Sequence, residues 1–228
     1  MSIQSDHSVY LALKDAISYN RIGQNTYINV NEIAAEHGVS PVPVREALIR
    51  LSAEDLIEYF PSRGFHVRPL ELPEVQESYF VMYMLVDRTL HQLKRPIEPV
   101  IRENVILLTE QVQGLSMKEF DDVRLFENML ERLARMLMCQ PSLSIFLNLI
   151  AKTRSFRTLI YTHCDREGVI IGEVKSVFDF LRSGDIDGAR QKNKRLMKMR
   201  ASQLCTEYAF YVSFLKTVGC TGRVSQIL

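Results

Sequence analysis

The sequence predicts a mainly α-helical chain in two parts. Residues 1–70 form a winged helix-turn-helix with a small β wing, and residues 74–228 form an all-α domain. Three observations predict it. Residues 39–52 read V-S-P-V-P-V-R-E-A-L-I-R-L-S and place Val44, Ala47, Leu48 and Leu51 at the i, i+3, i+4, i+7 spacing of one buried stripe. Residues 55–67 then read as strand, turn, strand, with P-S-R-G between two apolar runs. After R-P-L-E-L-P at 68–73, where two prolines and no periodicity mark a linker, only helical periodicity remains.

In order, Val9–Ser18 predicts a first helix with Leu11, Leu13, Ala16 and Ile17 as its apolar positions, then a glycine-containing turn at Arg21-Ile22-Gly23. Thr26–Val30 predicts the strand that joins the wing sheet. Asn29 or Asn31 caps a short helix that carries Ile33, Ala34 and His37 on one face, and Gly38 ends it. Ser40 supplies a side-chain oxygen to cap the next helix, which begins at Pro41 or Val42. Proline costs nothing in a first turn, where its missing N–H has no intrahelical partner. Glu46 lies in the first turns, where the helix dipole favours an acid. Two short helices joined at Gly38-Val39-Ser40 make a helix-turn-helix whose second helix enters a major groove, while the wing reaches backbone or minor groove.

The second part reads as helices throughout. Glu74–Leu93 carries Val75, Tyr79, Met82, Val86 and Leu90, and Pro96 and Pro99 break it. Ile101–Gln113 ends at Gly114. Ser116-Met117-Lys118-Glu119 is a capping box that opens a helix to about Met138. Pro141-Ser142 caps Leu143–Thr162, and Gly168–Arg182 ends at Ser183-Gly184-Asp185. Ile186–Leu215 is one long helix or two, and Gly219–Leu228 carries no pattern.

Composition bounds the function. A chain of 228 residues with 46% apolar and 24% charged residues suits one large or two small globular domains. No apolar run reaches the eighteen or so residues that span a bilayer, and Met1–Ser8 lacks an apolar signal core, so a cytoplasmic protein without membrane contact is expected. Cys139, Cys164, Cys205 and Cys220 show no paired spacing and are expected reduced and buried. No glycine-rich phosphate loop, nucleophile elbow or His/Cys cluster points to an enzyme. Residues 1–70 hold six Lys/Arg against eight Asp/Glu, which opposes simple electrostatic DNA binding. Placement outweighs that sum, because Arg45, Arg50 and Arg63 are expected to converge on one surface. A winged helix used for protein contact is the alternative.

The run V-S-x-x-P-V-R-E-A-L-x-x-L, then D-L-I, then P-x-R-G-F-x-V resembles the amino-terminal DNA-binding domain of GntR-family bacterial transcriptional regulators over roughly residues 8–70. The resemblance implies a homodimer on a roughly palindromic double-stranded DNA operator, controlled by a small-molecule effector. Arg45 matches the family's P-V-R-E arginine and is expected at a base edge, guanine first. Ser40 bonds a phosphate at the helix start, Arg50 meets the DNA backbone, and Arg63 with Gly64 forms the wing tip. Asn31 stands where relatives often carry a basic residue. Pro41 stands where they commonly carry arginine, so the operator preference is expected to depart from theirs.

The second part resembles the FadR-like branch on F-E-N-M-L at 126–130 and L-R-S-G-D-I-D-G-A-R at 181–190, which implies that branch's FCD-type effector domain, an all-α antiparallel helical bundle. Many members of that branch hold a metal with one Asp and three His. The matching positions here are Val123, Glu127, Val174 and Leu196, and only His91 and His163 lie beyond residue 70, so no metal and no cofactor is expected. Asp122, Glu127 and His163 offer only a poorer set. Met82 occupies the place of the branch's carboxylate-gripping arginine. Met82, Met84, Met129, Met136 and Met138 read as core or as an adaptable lining, so a pocket would suit an apolar or acyl effector, unless the domain has lost its ligand. Met82, Glu127, Arg154, Arg157, Tyr161 and His163 are the candidate effector contacts, weighed against a solvated helix face for the polar ones. The basic run Arg190–Arg200 contacts phosphates or an acidic partner, or is a solvated face.

Overall fold

The computed structural model describes residues 3–93, 97–111, 114–115, 119–163 and 167–219. It divides into two compact units. The first comprises Met1–Glu71, Ala151–Ser155 and Val212–Leu228, and the second Leu72–Ile150 and Phe156–Tyr211.

In the first unit α1 spans Ile3–Ser18, β1 Thr26–Ile28, α2 Val30–Glu36, α3 Pro41–Ala53, β2 Glu58–Phe60 and β3 Gly64–Val67. The core-facing residues of α1 are Val9, Tyr10, Leu13 and Ile17. Leu11, expected in that set, is 49% exposed, because two positions from Val9 and from Leu13 turn it to the opposite side of a 3.6-residue helix. The turn after α1 takes its positive φ at Asn20 (58°) rather than at Gly23, and the Ala16 carbonyl accepts from the N–H groups of both Arg21 and Ile22. Asn29 is the cap of α2: its Oδ1 accepts from Asn31 N–H at 3.0 Å and Glu32 N–H at 3.4 Å. The expected strand loses Asn29 and Val30 to that cap and helix.

Gly38, at φ +62°, reverses the chain after α2, and the N–H of Val39 returns to the Ala34 carbonyl. Val44, Ala47, Leu48 and Leu51 of α3 are all buried, as their spacing requires. Ser40 precedes α3 in an extended conformation but makes no side-chain cap bond. Pro43 removes one of the two donors a capping oxygen can use, the third helical N–H, and the second, on Val42, goes unused. Glu46 lies beyond the first turn, which holds no acid. The sheet is antiparallel in the order β1-β3-β2, with Tyr27 opposite His66 and Tyr59 opposite Phe65.

The second unit is helical. Here α4 spans Leu72–Gln92, α5 Pro99–Gln111, α6 Phe120–Leu137, α7 Gln140–His163, α8 Glu167–Ser183 and α9 Ile186–Gly219, except that Ala151–Ser155 of α7 and α9 from Val212 on belong to the first unit. The heptad positions Val75, Tyr79, Met82 and Leu90 of α4 are buried. Residues 116–118 of the expected capping box, Pro96, Cys164 and residues 220–228 lie outside the described residues. Pro141 and Ser142 fall inside the first turn of α7, which begins at Gln140. The last stretch is one continuous helix, α9, capped by Asp185, whose Oδ1 accepts from Gly188 N–H at 2.8 Å. Cys139 and Cys205, expected buried, are free and exposed. Met84 is likewise exposed, at 54%, whereas Met82 and Met129 are core.

Candidate nucleic-acid interface and bundle cavity

On α3 the residues between the buried positions form an outward stripe: Val42, Arg45, Glu46 and Ile49, all exposed. Arg45 makes no ion pair among the described residues. Val42 and Ile49, missed as functional candidates, are 59% and 61% exposed. They were legible as the complement of the buried stripe, two apolar residues where a free helix face has no packing use for them. A base-reading helix does, since thymine offers a methyl and cytosine an amino donor that an acid such as Glu46 accepts.

Arg50 is partly committed inside the protein. Its guanidinium carbon lies 3.8 Å from the centre of the Tyr10 ring, and its Nε is 3.6 Å from Glu54. Behind it Glu54 accepts from Lys14 Nζ and from the Tyr10 hydroxyl, both at 2.6 Å. Burial opposes the charged form of Glu54, but the bonds from Lys14 and Tyr10 outweigh it and hold the carboxyl below its ordinary range. This network ties α1 to the far end of α3.

The wing turn places Arg63 in the open, with its N–H bonded to the Phe60 carbonyl at 3.0 Å, and Gly64 takes φ +86°. The Tyr27 hydroxyl beside Arg63 favours its charged form. Asn31, Ser40 and Pro41 are exposed at the starts of α2 and α3. Three of the segment's acids are paired internally, which leaves its acid excess as it was: Asp15 with Arg21 at 2.7 Å, Glu54 with Lys14 at 2.6 Å, and Asp55 with Arg68 at 3.4 Å.

The second unit holds a half-open cavity of about 150 Å³. Met82, Val86 and Leu90 of α4, Phe126 and Leu133 of α6 and Val177 of α8 supply its apolar wall. Three of the expected effector residues line it: Met82, Arg157 and Tyr161. Glu127 lies directly behind. Its two carboxylate oxygens accept from Arg157 Nε at 2.6 Å and Nη2 at 2.7 Å, and Nη2 also donates to the Ile150 carbonyl at 2.7 Å. Glu127 is 0% and Arg157 4% exposed, so this is a buried bidentate pair and not a solvated face. Burial disfavours the Arg157 charge, but Glu127 outweighs it and pushes the guanidinium pKa up.

Tyr161 is 4% exposed, packs edge-on against Phe126 with ring centres 6.2 Å apart, and its hydroxyl has no hydrogen-bond partner among the described residues. Burial holds its pKa well above the ordinary tyrosine value, so the hydroxyl stays neutral. Arg154 is buried elsewhere, in the first unit, with its guanidinium 5.2 Å from the Tyr19 ring. His163 is exposed and bonds the Thr162 hydroxyl at 2.6 Å. Neither lines the cavity.

The four positions matching the branch's metal ligands do not fit a metal. Val174 and Leu196 are apolar wall, Val123 is buried at 0% exposure, and Glu127 has both oxygens on Arg157. Among the described residues no three His, Cys, Asp or Glu side chains come together. The basic run is split by its partners. Arg190 pairs with Asp87 at 3.0 Å, Lys192 with Glu173 at 2.7 Å, and the 1%-exposed Arg200 with Glu207 at 2.6 Å, while Lys194, Arg195 and Lys198 face solvent.

A winged helix with an exposed arginine on its second helix defines a DNA-binding protein class. Residues 6–67 match the family profile of bacterial regulatory proteins, gntR family. An HTH-type transcriptional repressor, RspR of Escherichia coli, is 22% identical over 199 residues, 82% of each chain. An HTH-type transcriptional regulator from an unstable DNA locus of Streptomyces ambofaciens is 29% identical over 116 residues, and the match spans 49% of this chain and 48% of that one. Among solved structures, E. coli McbR/YncC shares the fold at TM-score 0.70 with 18% identity, covering 90% of this chain and 98% of the other. A protein of Rhodococcus sp. RHA1 described as a GntR transcriptional regulator does so at TM-score 0.74 with 16% identity, covering 88% and 97%. The chain is a transcriptional regulator with a GntR-type helix-turn-helix DNA-binding domain. No helix among the described residues is long and apolar enough to cross a membrane.

Proposed function

We propose that this chain is a cytoplasmic GntR regulator of the FadR-like branch that binds a palindromic operator as a homodimer. In this reading residues 1–70 read DNA, and residues 74–228 form an FCD-type domain that dimerises and holds a small-molecule effector. The observation that carries it is the outward stripe of α3, where Arg45 stands exposed without an ion pair between Val42 and Ile49, opposite four buried residues. Arg45 reads a base edge, Asn31, Ser40 and Pro41 lie along the phosphates, Arg50 meets backbone, and Arg63 with Gly64 enters the adjacent groove. The bundle works without the branch's Asp/His metal, because an ion pair and aliphatic side chains fill that set.

Selection of DNA from a random duplex pool by the full chain tests this. Enrichment of an inverted repeat, bound less tightly as salt rises, supports the regulator, because phosphate contact releases counterions. The exposed Val42 and Ile49 also favour a second reading, a winged helix that docks on a protein. Failure to enrich any sequence would select that reading.

A further inference from the structure

We propose that the bundle cavity takes a neutral, largely apolar molecule of single-ring size that carries one oxygen function, anchored by the Tyr161 hydroxyl. The inference rests on the reading of the bundle as an effector domain and names the chemistry of that effector.

Three observations converge on it. The volume, about 150 Å³, is that of a cavity known to hold one benzene ring when lined by Leu, Ile and Phe. The cation on its wall is already neutralised: Arg157 spends Nε and Nη2 on a carboxylate that is itself 0% exposed. A ligand carboxylate would bring a second negative charge beside Glu127 into a site with little water to solvate it, and the excess charge would go uncompensated. A neutral ligand meets no such penalty. Finally, Tyr161, a residue only 4% exposed, lies on the cavity wall, and its hydroxyl has no hydrogen-bond partner among the described residues. The hydroxyl opens on the cavity rather than on protein, so a ligand oxygen that accepts from it gains specificity over a plain hydrocarbon. Other polar side chains on the wall have protein partners: Asn193 Nδ2 donates to the Tyr83 carbonyl at 3.1 Å, Thr89 Oγ1 to the Leu85 carbonyl at 2.8 Å, and the Tyr79 hydroxyl accepts from Arg200 at 3.3 Å, while Tyr83 carries a second hydroxyl there.

The test uses the full chain and three probes that share one ring: toluene, benzyl alcohol and benzoate. Binding is followed by titration calorimetry and by the shift in melting temperature. Toluene and benzyl alcohol are expected to bind and raise the melting temperature, and benzoate at the same concentration to leave it unchanged. Tyr161→Phe should weaken benzyl alcohol about fivefold, the loss of one neutral hydrogen bond, and leave toluene as it was. Benzoate binding as tightly as benzyl alcohol overturns the proposal. So does the absence of binding by all three probes, or an equal loss for both neutral probes in Tyr161→Phe. DNA selection by the same preparation separates the two readings. Selection without probe binding removes the ligand class and leaves the regulator, whereas no selection removes the regulator whatever the cavity binds.

Discussion

Separating Arg157 from Glu127 strands a charge away from water. Arg157→Met or Glu127→Leu alone should lower stability by about 3–5 kcal/mol, and the double variant should recover most of it, because two apolar residues leave no charge behind. Urea titrations of the three variants check this. Ser40 predicts the opposite of its usual role. With no side-chain cap bond, Ser40→Ala should change stability by under about 0.5 kcal/mol, where a working cap costs about 1. Glu54 carries a pH signature. Its folded carboxyl titrates below the unfolded value near 4.5, so its stabilisation is present above that pH and is lost as pH falls through the folded value. Glu54→Gln should therefore lower the melting temperature at pH 7, by an amount that shrinks as pH falls below about 4.5. Of these residues, Ser40 was legible in type but not in geometry: Pro43 removes one of the two N–H groups a cap could use, and the side chain leaves the other, on Val42, unbonded. Arg157 was legible as a candidate but its burial was not, since its partner lies 30 residues away on another helix.

Among the elements, α3 follows from its sequence directly: a proline start, a four-residue stripe and Gly38 ahead of it agree with one another. α1 does not, because any four apolar residues in a short window fit several phases of a helix, and packing against α3 selects Val9, Tyr10, Leu13 and Ile17 over Leu11. The single run of α9 was undecided in sequence, where its polar residues mask the stripe of Ala189, Leu196, Leu204 and Tyr211. Its start is decided locally: Asp185→Ala removes the bond to Gly188 N–H and should cost about 1 kcal/mol, read as a lower melting temperature.

For the whole molecule, the winged helix was the most legible part and the cavity the least. A DNA-reading surface is written by local spacing within one helix and one hairpin, whereas the cavity is assembled from α4, α6, α7, α8 and α9, with positions from Tyr79 to Leu196. Net charge was a poor guide because a sum carries no placement: Lys14, Arg21 and Arg68 are spent on Glu54, Asp15 and Asp55 within the first unit, whereas Arg45 and Arg63 stand outside any ion pair among the described residues. The most direct test of the account compares the wild type with Arg45→Ala on the operator that the wild type selects. The substitution removes one exposed side chain, so the melting temperature should hold, while operator affinity should fall by about 1–3 kcal/mol per half-site with relaxed preference at one base pair. Unchanged affinity and unchanged preference in a folded Arg45→Ala protein would contradict the assignment of α3 as the reading helix.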